Sequence, residues 1–374
     1  VNRDRVAGAA AAAGAFDPDA LTLARKLRGL RKNELAQIVA VTPAALSQYE
    51  LGQSRPSAAV LARLALALGM PIRFFIFGYP KPVTPSSAHF RSLRATTLLE
   101  RDQALAFGQL AWRLMTGIEK YIELPVSRIP HVALPVNPEV VTADVVGAAR
   151  HARESMGIDS GPVPHVVRLL EAHGAVVMLL PAISRRVDAF SHWYGSRPVV
   201  FLNPAKDDKA RSRFDAAHEL GHLVLHHDAE PGNRIVENQA HDFAAEFLLP
   251  RHEVAGELPR RLDWERLFQA KRRWGVSLKA LVYRAHKLGI FGESTYRTAM
   301  VRLAQWGDPE PGDLGPRESP VMLSKAMQIL AGIGVNLEIL AKDTGLAADT
   351  VQEILRAADG TRPRVDFLTQ LGRR

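Results

Sequence analysis

The chain contains no cysteine in 374 residues. Disulfides, cysteine-bound iron–sulfur clusters and thiolate zinc sites are therefore excluded, and any metal must be held by histidine and carboxylate. No run of 18 or more apolar residues occurs, so no membrane span is expected and the reading is of a cytoplasmic protein without a membrane partner. The Ala/Gly-rich stretch after Val1-Asn2-Arg3-Asp4-Arg5 is too weakly hydrophobic for a signal core, and residues 1–20 read as a disordered tail. What the chain does have is 47% hydrophobic content, ample for two to three domains, and a formal net charge of +9. Pro/Ser- and Pro/Gly-rich stretches at 80–88 and 307–320 read as linkers, leaving units at 21–79, 89–306 and 321–374.

The most informative segment is His218-Glu219-Leu220-Gly221-His222. Residues four apart on a helix share a face, so His218 and His222 can present two imidazoles to one ion, with Glu219 beside them as a general base. Phe214, Ala217, Leu220, Leu223, Val224 and Leu225 supply an apolar face at helical spacing. Gly221 weakens a helix by about 1 kcal/mol, which predicts a close packing partner there. A catalytic zinc site needs a third protein ligand. His226 lies eight residues from His218, roughly 12 Å along the axis, too far to share an ion with both, and is kept as a supporting group. Leu225 and Asp228 do not fit the metzincin extension of the motif. A second helix, Val236 to Pro250, buries Ala240, Phe243, Ala244, Phe247 and Leu248 and offers Glu237, His241 and Glu246 as further candidate ligands.

The paired segments HELGHLVLHH and ENQAHDFAAEFLLP resemble the ImmA/IrrE family of metallopeptidases across about residues 150–300. The resemblance implies a zincin-like domain binding one Zn²⁺ per chain through His218, His222 and Glu237, with Glu219 as base. It also implies a protein substrate, typically a transcriptional repressor. Many family members have Asn where His241 stands, so His241 is expected to orient Glu237, with direct ligation as the alternative. Upstream, Ala175–Leu180, Val187–Tyr194 and Pro198–Leu202 read as strands, the last two joined by a tight turn at Gly195-Ser196. A sheet edge beside a metal helix can hold an extended peptide by strand addition, and His192 and Tyr194 are candidates to donate to an oxyanion there.

The amino-terminal region reads as four short helices, Leu21–Leu30, Lys32–Val39, Pro43–Tyr49 and Ala58–Leu68, with Thr42 as an N-cap before Pro43. The stretch LRGLRKNELAQIVAVTPAALSQYELGQSRPS resembles the XRE, or phage-repressor, type of helix-turn-helix, whose second helix enters the DNA major groove. Residues 21–79 hold eight basic and two acidic residues, +6 of the +9 total, which suits double-stranded DNA. The candidate contacts are Lys32, Thr42, Ala44, Ala45 and Gln48 around the recognition helix, with Arg28 and Arg55 assigned to phosphates. Ala40 stands where the family usually has the turn Gly, a modest strain if the backbone there is left-handed.

The long helix expected over Arg94–Tyr121 reads as a brace on the peptidase domain. At the C-terminal end, Leu337–Thr344, Gly345 and Asp349–Arg356 have helix-turn-helix shape, but Glu338, Asp343, Asp349 and Glu353 would repel phosphate, so protein contact or domain capping is expected. The fold class is thus mainly α with a small β-sheet (α+β): a helix-turn-helix bundle, a zincin-like domain and a small C-terminal helical unit. Three functions stay open: a DNA-associated zinc peptidase acting on a repressor, a metal- or ligand-sensing regulator that cuts nothing, and an antitoxin-like autorepressor that binds a toxin. A homodimer is expected in each.

Overall fold

The computed structural model describes residues 14–76, 78, 89–90, 97–132, 134, 142–180, 189–204, 208–226 and 234–360. The expected linker at 80–88, the first 13 residues of the expected tail and residues 361–374 lie outside these.

The architecture is mainly helical, with one small mixed sheet. The amino-terminal bundle comprises α1 (Pro18–Leu27), α2 (Lys32–Ile38), α3 (Pro43–Glu50) and α4 (Ala58–Leu68), followed by a 3-10 turn at Ile72–Ile76. The bundle starts earlier than the sequence suggested. Phe16 is buried, Asp17 N donates to Phe75 O (2.7 Å), and the Asp17 carboxylate caps α1 through Asp19 N (2.9 Å). An acidic cap followed by Pro18 at the first helical position is a local start signal, so residues 16–20 belong to the module rather than to a tail. Thr42 caps α3 as expected, its Oγ1 accepting from Ala45 N at 3.1 Å.

The sheet contains β1 (His89–Phe90), β2 (Val176–Leu179), β3 (Ala189–Tyr194) and β4 (Arg197–Leu202), in the spatial order β1-β3-β4-β2. β3 and β4 form the expected hairpin, with Gly195 at φ 61° in the turn. β2 joins parallel to β4, and β1 adds antiparallel to the outer edge of β3.

This sheet separates two hydrophobic cores, and strand alternation decides which residue joins which. On one face Val176, Met178, Phe190, Tyr194, Val199 and Phe201 pack with the bundle, with α5 (Leu98–Ile118), and with α14 (Met322–Gly332), α15 (Leu337–Thr344) and α16 (Ala348–Ala358). On the other, Val177, Leu179, Ala189, Val200 and Leu202 pack with α6 (Thr142–Ser155), α7 (Val166–Ala172), α8 (Lys209–Leu225), α9 (Arg234–Leu248), α11 (Trp264–Trp274), α12 (Leu278–Lys287) and α13 (Glu293–Trp306). A short α10 (Arg251–Glu257) follows α9. The three units drawn from sequence boundaries are therefore arranged around two cores, and α5 braces the bundle, the C-terminal helices and the sheet together.

Gly108 makes that bracing possible, because a Cβ there would lie 2.2 Å from the Tyr194 hydroxyl and 3.0 Å from Phe201. The C-terminal helices cap the same core. Arg73 reaches the carbonyls of Ala341 and Leu346, and Tyr121 bonds Asp343. Of the four acids expected to be exposed there, Glu338 and Asp349 are, whereas Asp343 is half-buried and Glu353 is buried against Arg356. The stretch 307–320 has no helix or strand, yet it is strapped to the domain rather than acting as a free linker. Glu310 accepts from Leu278 N (2.6 Å) and Lys271 Nζ (2.7 Å), and Glu318 pairs with buried Arg213 while accepting from Val167 N (3.0 Å). Among the described residues no single helix is long and apolar enough to cross a membrane.

Candidate functional site

α8 and α9 pack along each other, and they approach closely at Gly221. A Cβ at Gly221 would lie 3.0 Å from Phe243 and 3.3 Å from the Ala240 backbone. The close partner expected from this helical glycine is therefore α9. The approach brings Glu237, in the first turn of α9, over the histidine face of α8.

Three side chains converge there: His218, His222 and Glu237. His218 Nε2 and His222 Nε2 are 3.1 Å apart, Glu237 Oε2 is 3.4 Å from His218 Nε2, and Glu237 Oε1 is 3.6 Å from His222 Nε2. Ligands about 2.0–2.2 Å from a tetrahedral zinc are separated by about 3.4 Å, so the donor triangle has the right size. Its charge fits as well. Two neutral imidazoles and one carboxylate leave a divalent ion with net positive charge, as a centre that acidifies water requires. The two histidines are almost fully buried, while the Glu237 side chain is 21% exposed, so access comes from its side.

His222 is held from behind. His226 Nδ1 lies 3.1 Å from His222 Nδ1, and His226 Nε2 lies 2.8 Å from Gln239 Oε1. The Gln239 carbonyl can only accept, so His226 carries its proton on Nε2 and presents a lone pair at Nδ1. That lone pair takes the Nδ1–H of His222, which puts the lone pair of His222 on Nε2, the atom that faces His218 and Glu237. His226, expected as a supporting group, thus stands behind His222, between it and Gln239. Gln239 was missed. It carries no metal-ligand signature in sequence, and its role depends on the tertiary approach of α9 to the end of α8.

Glu219 is fully buried and points to the sheet, where Ser191 Oγ donates to its Oε2 at 2.8 Å. Ser191 was also missed, and the oxyanion role expected of His192 and Tyr194 does not fit. Ser191 shares a face with Ala189 and Trp193, toward α8, whereas Tyr194 points the other way and donates weakly to Leu105 O of α5 (3.4 Å). Burial of that hydroxyl in the core shared with the bundle and α5 raises its pKa above the usual tyrosine range. His192 shares the Tyr194 face, their rings 4.7 Å apart, so neither can serve an oxyanion at the metal. The pattern could not reveal this, because β3 is covered on both faces and shows no clean alternation. His241, one turn beyond Glu237, lies between the rings of Phe214 (5.0 Å) and Tyr283 (6.1 Å) and is not part of the three-residue ligand group. Glu246 faces away, bonded to Arg284 and to Arg251 N (3.0 Å).

In the amino-terminal bundle only Leu46 of α3 is buried, and Thr42, Ala44 and Gln48 are exposed, with Ala45 half-buried. Lys32 Nζ stands over α3, 3.3 Å from Ser47 Oγ and 3.2 Å from Glu50 Oε2, with its side chain 43% exposed. The phosphate role expected of Arg28 does not fit. Its Nε donates to Leu68 O (2.7 Å), and desolvation pulls its pKa down to about 10 against the opposing charge of Asp349. Arg55 is exposed and bonds Gly14 O (2.7 Å). Ala40 sits at φ 52°, the strained left-handed turn anticipated for it.

Two family models match the chain. One described as IrrE N-terminal-like domain covers residues 170–286, the span that holds the sheet hairpin, α8 and α9. One described as Helix-turn-helix covers residues 21–75. No curated protein matches the chain as a relative.

Proposed function

We propose that this chain, an XRE-type helix-turn-helix module fused to an ImmA/IrrE-like metallopeptidase domain, is a DNA-binding transcriptional regulator that cleaves a partner protein by metal-assisted hydrolysis. The observation that carries the proposal is the triangle of His218, His222 and Glu237, with Glu219 one residue along the same helix. A zinc ion in that triangle would supply Lewis acidity and lower the pKa of water. Glu219 takes the proton of the attacking water and delivers it to the leaving amine. Ser191 holds the Glu219 carboxylate toward the sheet, and the His226–Gln239 pair fixes the His222 tautomer. The recognition helix supports a site of action on DNA, so that a DNA-bound repressor is the substrate class that suits both halves of the chain.

Metal analysis tests the first link. Purified protein is expected to hold about one zinc per chain, retained by Glu219→Gln and lost from His218→Ala and Glu237→Ala. Absence of zinc from the parent protein after reconstitution would remove the peptidase reading. Zinc binding without any cleavage of co-purified or operon-encoded repressors would leave a metal-sensing regulator, a reading favoured by the complete burial of Glu219.

A further inference from the structure

β3 is the strand that carries the base-holding Ser191, and its outer edge is not open. The two residues of β1 lie along it in antiparallel register, His89 opposite Ser191 and Phe90 opposite Phe190. An extended peptide entering a metal site beside a sheet adds to that edge by the same backbone pairing. The position a substrate strand would take beside Ser191 is therefore filled by the chain's own backbone. The occupant comes from the stretch that joins the helix-turn-helix module, ending at Ile76, to α5, beginning at Leu98.

We propose that the β3 edge is the peptide-binding edge of the metal site and that His89–Phe90 is an internal occupant which an incoming substrate strand must displace. The proposal rests on the peptidase reading and adds a means of regulating it. Two paired residues form a short contact that exchanges readily, while tethering gives it a high effective concentration over any peptide in trans. A polypeptide is the occupant that fits, because the edge of a strand offers alternating backbone donors and acceptors. Since the occupant lies on the connection to the DNA-reading module, a change in that module's position on DNA has a direct covalent route to the cleft.

The test uses the full chain, zinc-loaded, with Glu219→Gln so that nothing is cut. A fluorescein-labelled peptide of residues 86–94 is titrated by anisotropy against this protein and against the same protein carrying His89→Pro and Phe90→Pro, which removes two backbone donors from β1. We expect at least tenfold tighter binding to the proline variant, with faster amide exchange over residues 189–194 that is restored by the peptide. A second variant, His89→Gly with Phe90→Gly, weakens the strand without proline and should shift in the same direction. Equal affinity for parent and both variants, or no binding to any of them, would overturn the proposal. Because the readout is binding, absence of proteolysis by the chain with Glu219 intact, measured separately, would count against the peptidase reading alone, and equal peptide affinity would count against the internal occupant alone.

Discussion

α8 and α9, which bring the candidate ligands together, and α3 of the helix-turn-helix module treat their polar residues in opposite ways. Where α8 and α9 meet the sheet the polar groups are buried, Glu237 only in part, and each is tied to another: Ser191 of β3 to Glu219, Gln239 to His226, His226 to His222, His222 to Glu237. On α3 only Leu46 is buried, and the groups offered outward are a methyl group at Ala44 and the amide of Gln48. An ion dictates distances to a few tenths of an ångström, so its ligands need a rigid surround. A duplex read through shape and phosphate asks chiefly for a fitting surface and charge. Even the charge is scarcer than the count of eight basic residues suggests. Arg25 is locked to Glu50, Lys26 to Asp102, Arg28 to Leu68 O, Arg63 to Val39 O and Arg73 to the C-terminal cap.

Removing a ligand should break the comparison most severely. His218→Ala or Glu237→Ala is expected to abolish stoichiometric zinc in elemental analysis while DNA binding by the amino-terminal module persists, since the two sites lie in different cores. Next in size is the relay behind His222. His226→Ala or Gln239→Leu should weaken zinc affinity about 10- to 100-fold in competition with a chelator, the usual cost of losing a group that orients a metal-bound histidine. An unchanged affinity in both would mean that the tautomer of His222 is set elsewhere. Gly221→Ala acts through packing instead. With Phe243 and the Ala240 backbone at 3.0–3.3 Å, the added methyl should cost about 1–3 kcal/mol in denaturant unfolding and weaken zinc binding by parting α8 from α9.

These effects differ in how visible they are in the sequence. His218 and His222 are legible because helical spacing alone sets their geometry, and Gly221 is legible because a helix tolerates glycine only for a reason. Glu237 is singled out by the family resemblance and not by spacing, since nothing local ties α9 to α8. Gln239 and Ser191 are invisible for the same reason carried further: each has a role only because another element passes within 3 Å of it. His192 and Tyr194 misled because β3 is buried on both faces, which erases the alternation that would have given its parity. In the bundle the caps and prolines mark helix starts plainly, as at Thr42-Pro43, whereas the Ala-rich beginning masks Phe16 and Asp17. The segment 307–320 looked like a linker because it lacks periodicity, whereas Glu310 and Glu318 anchor it through contacts that periodicity cannot report.

On the DNA side the comparison sharpens between Lys32 and Arg28, two cations that the sequence offers as DNA contacts. Lys32 is exposed beside α3, so Lys32→Ala should weaken binding across sequences and reduce the salt slope of log K by about 1. Arg28→Ala should leave that slope unchanged and instead lower the unfolding free energy, because its guanidinium ties the end of α1 to Leu68 O. A slope change for Arg28→Ala equal to that for Lys32→Ala would return Arg28 to the phosphate-binding set.

The smallest effect expected is a gain. Ala40 holds φ 52° between α2 and α3, a conformation that costs an L-residue about 1–2 kcal/mol and glycine almost nothing. Glycine also adds entropy to the unfolded chain, which returns part of that advantage. Ala40→Gly should therefore stabilise the protein by about 1 kcal/mol or less in equilibrium denaturation, with zinc content unchanged. DNA affinity discriminates between two reasons for the alanine. If affinity is unchanged, the methyl is a tolerated strain; if it falls, the stiffer turn is what holds Ala44 and Gln48 at the angle the duplex requires.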